Sequence, residues 1–195
     1  MTVEETKRRI WKFQKPLEDK DDKAYWTNII FSISTIGNAV QKFTVEEEHE
    51  VAIGYAKLIV MELWTIRELL VCLEVDLEEF ESEFHNVKKF RDAYAHIKER
   101  IQGKEKPFRQ PKRELKWEDR SIAGGRLTSA DGQNWDSNAK NRIFNIEFNG
   151  NKGAMSIFGI IDNFLICNSG EELQEIELDE TMLKKLLDIL NKACD

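Results

Sequence analysis

The chain has 195 residues, of which 41% are hydrophobic and 33% are charged, and its formal net charge is −7. This length allows one large domain or two small ones with a buried core. No apolar run reaches the roughly 18 residues of a membrane span, and the N-terminus lacks an apolar signal segment. We therefore expect a cytoplasmic protein with no membrane partner.

Cysteine and histidine spacing bears on metal and disulfide chemistry. The three cysteines, Cys72, Cys167 and Cys194, are far apart and form no C-x-x-C pair. The three histidines form no H-E-x-x-H motif. Disulfide frameworks and zinc sites typically have cysteines or histidines at such short spacings. We expect no metal site and no cofactor.

The first half of the sequence predicts helices. Apolar residues recur every three or four positions from 24 to 43, which indicates one buried helix face. Thr44 is predicted to cap the next helix, with Glu47 completing a capping box. That helix, at 45–75, carries apolar residues at alternating spacings of four and three, namely Ala52, Ala56, Ile59, Leu63, Ile66, Leu70 and Leu73.

Further apolar residues on the same helix, including Val51 and Leu58, predict that it is central and has more than one packing partner. Asp76 with Glu79 predicts another N-cap, followed by a helical period that ends at Gly103 and has a break near His85–Asn86. We assign residues 1–103 to an antiparallel helical bundle.

The remainder has a different character. Prolines and charges at 104–120 predict a basic, irregular linker. Period-two patterns then predict strands near 143–148, 155–161, 164–167 and 173–178, joined as an antiparallel meander, with an earlier strand pair at 121–135. Asp179 caps a last amphipathic helix that would cover one face of the sheet. The predicted class is α+β, with the sheet and this helix in residues 121–195.

Residues 90–101 read Phe-Arg-Asp-Ala-Tyr-Ala-His-Ile-Lys-Glu-Arg-Ile. An Arg, a polar residue, three variable positions and a His on a helix resemble the signature of the HEPN superfamily, especially its abortive-infection and toxin proteins. The resemblance covers residues 44–102 and gives Arg91, Asp92 and His96 the three motif positions. It implies a helical bundle, a metal-independent endoribonuclease of toxin or phage-defence type, and a homodimer in which two motif helices form one cleft.

The residue types of the motif suit RNA cleavage. Histidine titrates near neutrality, so His96 can act as general base toward a ribose 2′-hydroxyl or as general acid toward the leaving oxygen. Arg91 can hold the phosphate and stabilise its developing charge. The two lie about 140° apart on one helix, whereas Asp92 and His96 share a stripe and can hydrogen-bond. The family usually has Asn where this chain has Asp92, which brings a negative charge toward the phosphate.

The motif lies in the one markedly basic segment of an acidic chain, since residues 88–116 contain eleven Lys and Arg against four acids. Such a segment attracts polyanions. Its candidate RNA-binding residues are Lys98, Arg100, Lys104, Lys106 and Arg109. A solvated linker is the other interpretation of this charge run. RNA, a second copy and an antitoxin or regulatory protein are the candidate partners.

Three functional hypotheses follow. The first is the HEPN-like endoribonuclease, and the second is a non-catalytic HEPN-like dimeric module that binds RNA, a nucleotide or a protein. The third is an α+β scaffold in which Arg91 makes a surface ion pair and His96 is a half-buried structural residue. Dimer formation through the motif helix separates the first two from the third. Loss of RNA cleavage in His96→Ala separates the first from the second.

Overall fold

A computed structural model describes residues 2–95, 145–148, 151–154, 158–161, 163–168 and 173–194. Within these ranges the helices are α1 (Val3–Gln14), α2 (Lys20–Val45), α3 (His49–Cys72), α4 (Glu78–Glu83), α5 (Val87–Ala95) and α6 (Glu180–Lys192). The strands are β1 (Asn145–Phe148), β2 (Asn151–Ala154), β3 (Phe158–Ile161), β4 (Phe164–Asn168) and β5 (Leu173–Glu177).

The described chain is mostly helical, with a small antiparallel sheet and a C-terminal helix, as the sequence predicts. Its contacts separate two compact units, residues 1–44, 55–88 and 178–195, and residues 45–54 and 89–177. No helix in the ranges given above is long and apolar enough to cross a membrane.

The core of the first unit takes buried residues from all of its helices, with the larger share from α2 and α3. On α2 the predicted apolar face is buried, with Trp26, Ile29 and Ile33 at most 2% exposed. Six of the seven predicted seam residues of α3 are fully buried, and Leu73 lies just past its end. The alternating spacing therefore identified the packing face of α3 correctly.

The predicted cap at Thr44 is wrong. Thr44 lies inside α2, where its hydroxyl donates to the carbonyl oxygen of Gln41 at 2.9 Å. The backbone N–H groups of Glu47 and Glu48 instead donate to the carboxylate of Glu46 at 3.1 and 3.0 Å. Because a threonine hydroxyl can bond back to the preceding turn, it did not have to end the helix.

The expectation that further apolar residues widen the buried surface of α3 is wrong at two of them. Val51 and Leu58 are 36% and 40% exposed, although they were predicted to widen its buried surface. Alternate turns of α3 therefore present apolar side chains to solvent.

Helices α1 and α6 pack on each other within the first unit. The buried Asn191 of α6 donates to the hydroxyl of the buried Thr6 at 2.9 Å. Asp179 caps α6 as predicted, accepting from the N–H of Met182 at 2.9 Å. Two lysines of α6, Lys185 and Lys192, form ion pairs with Glu83 and Glu79 of α4.

The predicted break near His85–Asn86 is confirmed, because α4 ends at Glu83 and α5 begins at Val87. The predicted N-cap at Asp76 is wrong, because Leu77 is the N-cap residue of α4 and makes no side-chain capping hydrogen bond. The Asp76 carboxylate accepts instead from the N–H of Glu78 at 2.9 Å. The apolar period continues through the break, since Phe80, Phe84 and Val87 are all buried.

The second unit contains a three-stranded antiparallel sheet in the order β3-β4-β5, which confirms that part of the meander. Ile160, Leu165 and Ile176 lie opposite one another across the three strands and are buried. Strand β1 instead pairs with β2 in a separate two-stranded sheet, and β2 was not predicted. The predicted strand pair at 121–135 and the linker lie outside the described residues, and the covering of the sheet by α6 stays a prediction.

Candidate functional site

Helix α5 carries the first half of the Arg-Asp-x-x-x-His motif. Val87, Phe90 and Ala93 recur every three residues and are at most 1% exposed, so they fix one face of the helix in the interior. Arg91 and Asp92 follow Phe90 directly, and their side chains are 39% and 35% exposed. The helical period therefore brings both motif side chains to the border between interior and solvent.

Arg91 and Asp92 form an ion pair with each other. The guanidinium Nη1 of Arg91 donates to the Oδ1 of Asp92 over 2.8 Å. Arg91 makes a further interaction besides this one. The sequence predicted both residues in the site and His96 as the partner of Asp92. The observed pair is the surface ion pair of Arg91 that the scaffold hypothesis predicts, with Asp92 as its acid.

The remaining predicted site residues lie outside the described part of the chain. These are His96 and the candidate RNA-binding residues Lys98, Arg100, Lys104, Lys106 and Arg109. The structure thus brings together Arg91 and Asp92 of the predicted set. Lys88 and Lys89, which precede them on α5, are exposed, so the described part of the helix presents three basic side chains outward.

A hydrogen bond between α5 and the sheet was not predicted. The Nζ of Lys89 donates to the Oε1 of Gln174 on β5 over 2.9 Å. Gln174 is 7% exposed and lies on the same side of β5 as Ile176, which is also buried. The sequence signal for this contact was a single amide on an otherwise apolar strand face, because a buried polar group needs a hydrogen-bond partner.

The chemistry open to this surface is anion binding. An ion pair at one-third exposure contributes about 0–1 kcal/mol, so a phosphate can replace the Asp92 carboxylate on Arg91 at small cost. Arginine then offers two parallel N–H groups to the phosphate oxygens. The exposed Lys88 adds positive charge on the same helix, whereas Lys89 is held by Gln174.

Among the residues that the structure describes, no group of three or more His, Cys, Asp and Glu side chains is placed to hold a metal ion. Comparison of the chain with protein-family models, with curated proteins and with solved structures gives no significant match.

Proposed function

We propose that this protein is a HEPN-like, metal-independent endoribonuclease of toxin or phage-defence type, in which Arg91 and His96 act across a homodimer. The observation that carries the proposal is the position of Arg91. It stands at the solvent border of a helix that is anchored by Phe90 and Ala93, and Lys88 is exposed on the same helix. A rigid helix that offers cations to solvent is a suitable platform for a phosphate.

In the proposed reaction, a ribose 2′-hydroxyl of the RNA attacks the adjacent phosphodiester and cleaves the chain. One His96 takes the proton of the 2′-hydroxyl, and the 2′-oxygen attacks the adjacent phosphorus. The bond from phosphorus to the 5′-oxygen breaks, the leaving oxygen takes a proton from water, and the protonated His96 returns its proton to the solvent. Arg91 stabilises the negative charge that accumulates on the phosphate oxygens. The products are a 2′,3′-cyclic phosphate and a free 5′-hydroxyl.

A second candidate, the non-catalytic HEPN-like dimeric module that binds RNA, a nucleotide or a protein partner, is favoured by one specific contact. The Asp92 carboxylate lies 2.8 Å from the Arg91 guanidinium and is the group that an RNA phosphate must displace. A fixed negative charge at the phosphate position opposes the transition state more than it opposes binding, because charge accumulates there during the reaction.

Cleavage of a mixed RNA pool in EDTA tests the proposal. Four purified proteins are compared, the parent, Arg91→Ala, His96→Ala and Arg8→Ala, each with folding confirmed by circular dichroism. Arg8 is an exposed arginine of α1 and serves as the control for the loss of one positive charge. The proposal predicts cleavage by the parent and by Arg8→Ala alone, with cyclic phosphate ends on the products.

Retained RNA binding without cleavage by any of the four proteins would favour the binding module. Equal cleavage by the parent and His96→Ala would contradict the assignment of His96. Equal cleavage by the parent and Arg91→Ala would do the same for Arg91.

A further inference from the structure

The N-terminal helix α1 carries a short basic stretch with an exposed tryptophan. Residues 7–15 read Lys-Arg-Arg-Ile-Trp-Lys-Phe-Gln-Lys, with five Lys and Arg and no acid, in a chain whose net charge is −7. Trp11, in the middle of the stretch, is 59% exposed. Tryptophan is highly buried on average in folded proteins, so this degree of exposure is unusual.

The packing of α1 turns one face of the helix inward and presents Trp11 outward. Thr6 and Ile10, one turn apart, are fully buried. At about 100° per residue, Trp11, Lys12 and Lys15 lie within about 100° of one another on the other side of the helix. All three are exposed, so they form one outward stripe.

The indole of Trp11 stands on a fixed backbone and is open to a ligand. Two residues further on, the ring of Phe13 packs edge-on against Trp26 of α2, with 5.3 Å between ring centroids, which holds α1 in place. No ring or cation stacks on the Trp11 indole within the ranges that the structure describes. A planar ligand can therefore stack there without displacing a side chain.

The acids of α1 lie at its N-terminal end and are already engaged. Lys7 forms an ion pair with Glu4 at 2.8 Å, and the backbone N–H of Thr2 donates to Glu5 at 2.7 Å. Hydrogen bonds from Lys7 and from Thr2 lower the pKa of Glu4 and of Glu5, and the nearby charge of Arg8 lowers both further. In this part of the helix two acids thus balance two bases.

The positive charge that remains lies around Trp11. Arg9 makes an interaction of its own. Lys12 and Lys15 form no ion pair with any residue that the structure describes, and the next acid along the chain, Glu18, lies beyond the end of α1. Lysines near the C-terminal end of a helix also complement its dipole, but an exposed indole between them has no such role.

An exposed aromatic ring beside unpaired cations suits single-stranded nucleic acid. A base stacks on the ring and the cations hold the neighbouring phosphates, without dependence on base sequence. A duplex keeps its bases stacked inside, so the ring favours a single strand. A helix that binds a membrane surface instead presents a whole apolar face to the lipid. In α1 that face is packed within the protein through Ile10 and Phe13, which leaves one indole outside.

We infer that Trp11, Lys12 and Lys15 form a binding surface for single-stranded nucleic acid, in which the indole stacks on a base and the two lysines hold the flanking phosphates. Trp11 and Lys15 are about 6 Å apart along the helix axis, so one nucleotide and its neighbours cover the stripe. The surface lies on a different helix from Arg91, and binding there requires neither His96 nor cleavage. For a ribonuclease it supplies affinity for the substrate that is independent of the cleavage site.

Titration of the full chain with an oligo(dT) of about 12 nucleotides tests the stacking contact. DNA lacks the 2′-hydroxyl, so the proposed cleavage cannot occur. The parent is compared with Trp11→Phe, which keeps a ring, and with Trp11→Leu, which keeps only apolar bulk, after all three show the same melting temperature. We expect affinity within about threefold of the parent for Trp11→Phe and about tenfold weaker for Trp11→Leu. Stacking should also quench a tryptophan fluorescence component that both variants lack.

The salt dependence of binding tests the lysines. For a single strand, each phosphate contact contributes about 0.7 to the slope of log affinity against log salt concentration. We expect Lys12→Gln to reduce this slope by about 0.7. Lys184→Gln, at an exposed lysine of α6, removes the same charge and should keep the slope of the parent. Equal slopes in the two variants would contradict the role of Lys12.

Two results overturn the inference as a whole. The first is oligo(dT) binding that is equally tight in the parent and Trp11→Leu, which would place the nucleic acid elsewhere on the chain. The second is a parent that does not bind oligo(dT). In that case, a blue shift of Trp11 fluorescence with vesicles of anionic phosphatidylglycerol would assign the stripe to a membrane surface. RNA cleavage is not measured in these experiments, so this inference and the proposed ribonuclease fail separately.

Discussion

The guanidinium of Arg91 is hydrogen-bonded to the carboxylate of Asp92, its neighbour in the chain, over 2.8 Å. The side chain proposed to hold an RNA phosphate is thus already paired with an anion at rest. At one-third exposure such a pair contributes only about 0–1 kcal/mol. RNA can compete with it, and the competition can be measured.

Asp92→Asn should strengthen RNA binding. The substitution removes the negative charge beside Arg91 and keeps the size of the side chain. We expect about two- to fivefold tighter binding, which corresponds to up to about 1 kcal/mol, measured by filter binding at fixed salt concentration. Asp188→Asn, at an exposed acid of α6, is the control for net charge. The same gain in both variants would mean that Asp92 has no particular influence on the RNA.

Gln174→Leu should loosen α5. The substitution fills the buried position but removes the acceptor of the Lys89 hydrogen bond. We expect a loss of about 1 kcal/mol in the free energy of unfolding and faster amide exchange in α5. Gln174→Glu keeps an acceptor for Lys89 and should protect α5 better than Gln174→Leu does. Equal exchange in the two variants would show that the hydrogen bond does not hold the helix.

Phe90→Ala and Arg91→Ala should separate a residue that holds the site from one that acts in it. Phe90 is fully buried, and truncation of a buried phenylalanine costs about 3–5 kcal/mol. Arg91 is partly exposed, and its truncation should change stability by about 0.5 kcal/mol or less. Urea unfolding measures both values. A large loss of stability in Arg91→Ala would assign that residue to the framework of the fold.

The N-terminal cap of α1 should depend on pH. The backbone N–H and the hydroxyl of Thr2 donate to the carboxylate of Glu5 at 2.7 and 3.0 Å, which lowers the pKa of Glu5 in the folded chain. A lowered pKa means that this stabilisation is complete above the unfolded value of about 4.3 and is lost as pH falls through the folded value. The difference in unfolding free energy between the parent and Glu5→Gln should shrink over this range. A difference independent of pH would exclude the ionised cap.

Sequence patterns identified the elements whose side chains repeat strongly. Local periodicity and short-range hydrogen bonding determine the buried face of α2, the seam of α3 and the Asp179 cap. Both can be recognised in the sequence without knowledge of the tertiary structure. Strand β2 was missed because its sequence, Asn-Lys-Gly-Ala, shows no alternation of apolar and polar residues. It forms a strand through its antiparallel pairing with β1. Such pairing depends on a partner strand and not on the segment itself.

The candidate site shows the same division between local and tertiary information. The motif placed Arg91 and Asp92 on a helix because their spacing is local. The Lys89–Gln174 hydrogen bond joins residues 85 positions apart, and no local pattern predicts such a pair. The exposure of Leu58 had the same cause, since whether an apolar helix position is covered depends on which elements pack there.

Mixing two inactive variants tests most directly the claim that Arg91 and His96 act across a homodimer. Arg91→Ala and His96→Ala are unfolded together, refolded as a mixture and assayed on RNA in EDTA, beside each variant refolded alone. We expect the mixture to recover part of the parent activity, because heterodimers hold one intact Arg91 and one intact His96 in the shared cleft. An active parent with a mixture that stays inactive at every ratio would contradict the composite site.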